Sequence, residues 1–158
     1  MLFWLAPLIV IAGITAPLVM SDVTRLRLPN RLILVGYVAF ACAAELHTLT
    51  APSNGALSKS APSPALVCLA TLVGAGGLWM LGAIGMGDVK LMGLLAGCLQ
   101  LLPSANAPPL PAVAAGATLL LIAPAALLAF SYGRHSLPLG PFLLAGFWLA
   151  VLVWAGLG

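Results

Sequence analysis

The chain is 158 residues long, with 63% hydrophobic and 6% charged positions. A soluble domain carries roughly 25% charged residues, so this composition excludes an ordinary soluble enzyme and reads as an integral membrane protein. The net charge of +3, from six basic and three acidic side chains, is too small for a nucleic-acid footprint and fits topology markers instead.

A bilayer core about 30 Å thick takes roughly 20 apolar residues per helix. In chain order the candidate spans are Leu2–Met20, Leu32–Leu49, Ala65–Ile84, Val89–Leu102, Ala112–Phe130 and Leu139–Leu157. The first has no basic flank and no small-residue cleavage site, so it reads as a retained span rather than a signal peptide. Glu45 and His47 fall near the far end of the second. The fourth is short enough that a tilted or re-entrant helix also fits. Pro141 stands near the start of the sixth, where its ring is tolerated. Breakers separate the spans: Pro29 in Ser21–Arg31, Ser and Pro through His47–Pro64, four prolines in Pro103–Pro111, and Gly133 with Pro138 in Ser131–Pro138. The expected fold is an all-α bundle of about six transmembrane helices, forming one transmembrane domain over residues 1–158.

The basic residues orient this bundle. Under alternation Arg25, Arg27, Arg31, Lys90 and Arg134 share one side with His135, and only Lys59 falls on the other. Cytoplasmic loops are enriched in Lys and Arg, which puts the first, third and fifth loops in the cytoplasm and both termini on the outer side. Cys42, Cys68 and Cys98 lie in apolar stretches with no C-x-x-C and no neighbouring His. They read as inert buried thiols, and no metal or other cofactor is expected.

The acids carry the functional signal. A carboxylate at the bilayer centre costs about 2.5–3.5 kcal/mol, so an acid close to lipid is a functional candidate by default. Asp22 closes the first apolar run, Asp88 stands in Gly85-Met86-Gly87-Asp88-Val89-Lys90, and Glu45 is the third. One crossing precedes Asp22 and three precede Asp88, so both fall at the cytoplasmic face. Two neighbouring carboxylates resist double ionisation and share a proton at intermediate pH. One can then take a proton from water while the other donates to a carbonyl, the division of labour in aspartic proteases. Gly85 and Gly87 remove Cβ atoms beside Asp88, allowing unusual φ/ψ and close approach of a substrate backbone. Bland readings stand beside these. Asp22 near Arg25 and Arg27 suits a solvated helix end, Glu45 suits an outer-surface charge, Gly-x-Gly-Asp suits a turn, and Lys90 suits a topology marker. Gly93-x-x-x-Gly97 in the fourth segment would let a neighbouring helix pack closely.

Three motifs in order, Asp22 followed by Leu28-Pro29-Asn30, then Gly85-Met86-Gly87-Asp88-Val89-Lys90-Leu91, then Leu137-Pro138-Leu139-Gly140-Pro141-Phe142, resemble the type IV prepilin peptidases, the bacterial GxGD aspartic proteases. Leu139 stands where that family usually has Phe. The resemblance implies an aspartic endopeptidase of the bacterial inner membrane that removes the leader of prepilins or pseudopilins at the cytoplasmic face. It makes Asp22 and Asp88 the catalytic pair, with Gly85, Gly87, Lys90, Pro29 and Asn30 binding substrate or lining the site. The chain starts at the first helix, without the C-x-x-C extension of the long, methylating members. It is therefore similar to the short type serving Flp/Tad pili, and methylation is not expected. Alternatives are another GxGD protease (preflagellin peptidase-like or presenilin-like), a small ion-coupled carrier using the same acids, or a structural subunit of a secretion assembly.

Overall fold

The computed structural model describes residues 5–25, 28–50, 63–81, 84–102, 114–116, 118–119 and 139–157. Every regular element among them is an α-helix: α1 (Leu5–Arg25), α2 (Asn30–Thr50), α3 (Pro64–Met80), α4 (Met86–Gln100) and α5 (Gly140–Leu157). Residues 114–116 and 118–119 are also helical. They belong to the expected fifth span, whose remainder lies outside the described residues, as do Arg27, Lys59, Arg134, His135, Leu137 and Pro138. Among the described residues two helices, over Leu5–Thr24 and Asn30–Leu49, are long and apolar enough to cross a membrane.

The helix ends differ from the apolar runs, and local chemistry explains the shifts. α1 continues through Ser21–Arg25, because nothing there breaks a helix. Asp22 therefore sits in its last turn rather than in a loop. α2 starts after Pro29, whose carbonyl accepts from the N–H of Leu32 at 3.1 Å and of Ile33 at 3.4 Å. Pro64 opens α3 in the first-turn position its ring favours, and the Ser63 hydroxyl caps it by accepting from the Leu66 N–H at 3.2 Å. α3 stops at Met80 rather than Ile84, and α4 begins at Met86 rather than Val89. Asp88 consequently lies in the first turn of α4, just ahead of its apolar segment.

α4 is the hub, packed against α2, α3 and α5, while α1 packs against α2 and α5. Its 15 residues span about 22 Å at 1.5 Å per residue, short of a bilayer core. Val89, Leu91, Leu94, Leu95, Cys98 and Leu99 are all buried, so protein covers most of this helix. Glycines permit the close approach. A Cβ on Gly93 would lie 2.6 Å from Leu72 Cδ2, and one on Gly97 would lie 2.8 Å from Phe40 Cζ and 3.2 Å from Cys68 Cβ. The Gly93-x-x-x-Gly97 spacing thus works as its pattern suggests, admitting α2 and α3.

α5 brings Leu144 and Phe147 into the buried core that also holds Leu18, Leu94 and Leu99. It is pinned to α1 where the Trp148 indole N–H donates to the Thr15 hydroxyl at 3.2 Å. Gly146 faces the buried Thr118, which a Cβ there would strike. On the outside Ile9, Met20, Leu34, Val38, Leu69 and Val73 are exposed, an apolar girdle that suits a lipid surface better than water. Cys68 and Cys98 are buried as expected, but Cys42 is exposed, because it points outward from α2.

Gly97 and Gly13 make a matched test of this packing. Overpacking a filled interface costs about 1–3 kcal/mol, whereas a Cβ on Gly13 meets nothing within 4 Å. Gly97→Ala should lower the melting temperature of the purified protein, and Gly13→Ala should leave it unchanged or raise it. Equal melting temperatures for the two variants would contradict the close approach at Gly97.

Candidate active site

Asp22 and Asp88 line one cavity of about 310 Å³ together with Asn30, Gly85, Gly87 and Lys90. Residues from the end of α1, the start of α2 and the start of α4 converge here. Two further lining residues, Leu28 and Met86, are apolar and were not among the expected site residues. Pro29 was expected at the site but does not line the cavity. Its carbonyl is committed to starting α2. Glu45 is exposed, 15 positions along α2 from Asn30, which at 1.5 Å per residue is about 22 Å from the cavity.

The two carboxylates are held differently. Asp22 is 5% exposed, and its Oδ2 accepts the backbone N–H of Gly140, the first residue of α5, at 2.8 Å. Gly140 comes this close because it lacks a Cβ, which would stand 2.8 Å from that same oxygen. Asp88 is half-buried, and its Oδ2 accepts the N–H of Gly85 at 3.3 Å, a longer bond that caps its own helix. Its Oδ1 is buried with no hydrogen-bond partner among the described residues. Burial pushes the Asp88 carboxyl up to about 6, the Asp22 charge pushes it the same way, and the Gly85 N–H opposes them.

The motif glycines act through space rather than through unusual backbone angles. Gly85 is the residue before α4 with φ −77° and ψ 150°, an extended conformation open to any residue. A Cβ there would come 3.0 Å from Asp88 Oδ2, and one on Gly87 would come 3.0 Å from Leu28 Cβ. Lys90 lines the cavity with its ammonium donating to Asn30 Oδ1 at 3.2 Å. Its backbone carbonyl accepts the Tyr37 hydroxyl at 2.8 Å. Two bonds therefore fasten the start of α4 to α2, fixing the helix turn that carries Asp88.

Gly140 is the site residue that sequence reasoning passed over, although Leu139-Gly140-Pro141-Phe142 was part of the third motif. The signal was a Gly-Pro pair opening a helix, but nothing local in it points to an acid 118 residues away. Chemically, the arrangement offers two acids on one open cavity, Asp22 with a short N–H bond and Asp88 with a longer one and an oxygen unpartnered among the described residues. Such a pair can hold one proton between two groups of unequal basicity.

No curated protein and no solved structure matches the chain. A sequence model described as the type IV leader peptidase family matches residues 8–156. That match takes in both aspartates, every cavity-lining residue and nearly all of the described helices, and so the chain belongs to the type IV leader peptidase family.

Proposed function

We propose that this protein is a membrane-embedded aspartic endopeptidase that removes the leader of type IV prepilins or pseudopilins at the cytoplasmic face of the inner membrane. The observation that carries this reading is the convergence of Asp22 and Asp88 on one cavity, in a chain of the leader peptidase family. The reaction needs no group beyond the pair. One carboxylate takes a proton from a water molecule as its oxygen attacks the scissile carbonyl carbon. The other gives its proton to the carbonyl oxygen, forming a tetrahedral diol. Collapse of the diol returns that proton to the dyad, breaks the C–N bond and passes a proton to the leaving amine. Leu28 and Met86 give the cavity apolar wall that suits a substrate backbone emerging from an apolar helix, and Lys90 with Asn30 gives it polar wall. A carrier reading uses the same acids and a structural-subunit reading gives them no role, and both account less well for membership of a peptidase family.

Asp22→Asn and Asp88→Asn should each lower cleavage of a synthetic prepilin leader by about a thousandfold or more. The double variant should fall no further, since the residues act as a unit. Cleavage at the wild-type rate by either single variant would remove the pair from the chemistry.

Stability should move the other way. The folded Asp88 carboxyl titrates near 6, above its ordinary 3.8, so the folded state holds its proton more tightly than the unfolded chain does. Stability is then full below about pH 4 and declines as pH rises through about 6. Asp88→Asn removes that decline and should melt several degrees above the wild type at pH 8, with the gap closing at pH 4. A wild type matching Asp88→Asn at both pH values would contradict the burial of a charge at this position.

The six-span arrangement predicts opposite sides for the Ser21–Arg31 and His47–Pro64 segments. Single cysteines at Asn30 and Asn54, in a background lacking Cys42, Cys68 and Cys98, should react with an impermeant maleimide from opposite faces of sealed vesicles. Labelling of both from one face would overturn it.

A further inference from the structure

The proposed dyad is asymmetric in its hydrogen bonds, and the asymmetry assigns roles. Asp22 receives a buried N–H at 2.8 Å from Gly140, at the start of an 18-residue helix. Hydrogen bonds donated to a carboxylate favour its ionised form. Both acids stand at a helix N-terminus, Asp22 at that of α5 and Asp88 in the first turn of α4, so the hydrogen bonds rather than the helix dipoles distinguish them. Asp88 has only the longer 3.3 Å bond from Gly85 on one oxygen. Its other oxygen is buried without a partner among the described residues, an arrangement that suits a protonated hydroxyl waiting for an acceptor. Gly140 bears no other visible duty at this point. The α5 ladder starts from the Leu139 carbonyl, which accepts from Phe142 and Leu143 at 3.1 Å each. The Gly140 N–H is thus spare for Asp22.

We infer that Gly140 is a positioning residue, whose backbone N–H holds Asp22 as the ionised carboxylate that takes the proton from water, leaving Asp88 as the acid that protonates the scissile carbonyl. The inference rests on the dyad reading above and goes beyond it by assigning the base and naming the group that selects it. The charged and titratable side chains lining the cavity are Asp22 from α1, Asp88 and Lys90 from α4, with Asn30 of α2 binding the Lys90 ammonium. Tyr37 of α2 faces the Lys90 carbonyl behind them, and α5 brings no titratable side chain. Nothing on α5 but the backbone can therefore bias the pair.

The test removes the N–H without adding an atom. Glycolate incorporated in place of Gly140, in the full-length protein made by cell-free synthesis into lipid nanodiscs, turns that N–H into an ester oxygen. Cleavage of a synthetic prepilin leader is then followed as kcat/KM across pH. The acidic limb of the profile, which reports the base of the free enzyme, should move up by about one unit. That shift means about tenfold lower kcat/KM on the limb and little change on the plateau. A matching ester at Leu143, whose N–H serves only the helix, should leave the limb where it is. An unmoved acidic limb, a uniform loss at every pH, a shift produced equally by the Leu143 ester, or movement of the basic limb instead would each overturn the assignment. The last outcome would make Asp22 the acid. These failures are distinct from failure of the dyad reading itself, which would show as persistent cleavage by Asp22→Asn or Asp88→Asn.

Discussion

A carboxylate enclosed by apolar helices must be given either a donor or a proton, and the bond from the Gly140 N–H to Asp22 is where this fold supplies the donor. Much of the remaining architecture serves to make that bond. α5 has to meet the last turn of α1, and it does so with Leu144 and Phe147 buried in the core and Trp148 bonded to Thr15. Gly140 has to be a glycine because Asp22 Oδ2 occupies the space a Cβ would need. α1 and α5 are thus joined at two polar points, Gly140 on Asp22 and Trp148 on Thr15, within a largely apolar contact.

The second acid is held by a different device. α4 is too short to span a bilayer on its own and packs against α2, α3 and α5, of which α2 and α3 approach closely because Gly93 and Gly97 leave room. Its N-terminal turn is tied to α2 through Lys90 on Asn30 and through Tyr37 on the Lys90 carbonyl. Asp88 thereby shares a cavity with Asp22, with one oxygen unpartnered among the described residues, and its affinity for a proton rises. A site that stores an unsatisfied acid gives up some stability for reactivity, a pattern expected where function overrides packing.

Much of this was readable from residue types. In a chain with three carboxylates, Asp22 and Asp88 stood out because acids near lipid are costly, and counting crossings put them on one side. Gly93 and Gly97 were readable as a packing face. The helix ends were not, because hydropathy marks where a run is apolar while caps decide where a helix stops. Asp22 is helical for want of a breaker before Pro29, and Asp88 joins α4 because Gly85 caps it. Gly140 and Leu28 were invisible as site residues for a further reason. Their role depends on contacts between elements distant in the chain, which leave no local period. Pro29 lies between the cavity-lining Leu28 and Asn30 and starts α2 through its carbonyl.

The most direct test of a proton held at Asp88 beside an ionised Asp22 is infrared spectroscopy of the protein in lipid, with aspartate carboxyls carbon-13 labelled. The chain has so few acids that the carbonyl stretch of a protonated carboxyl is uncrowded. At about pH 5, below the Asp88 midpoint of about 6 and above an ordinary carboxylate, the account predicts a labelled protonated-carboxyl band. That band should survive Glu45→Gln and vanish in Asp88→Asn. A spectrum with no such band at that pH, or a band that persists in Asp88→Asn, would contradict it.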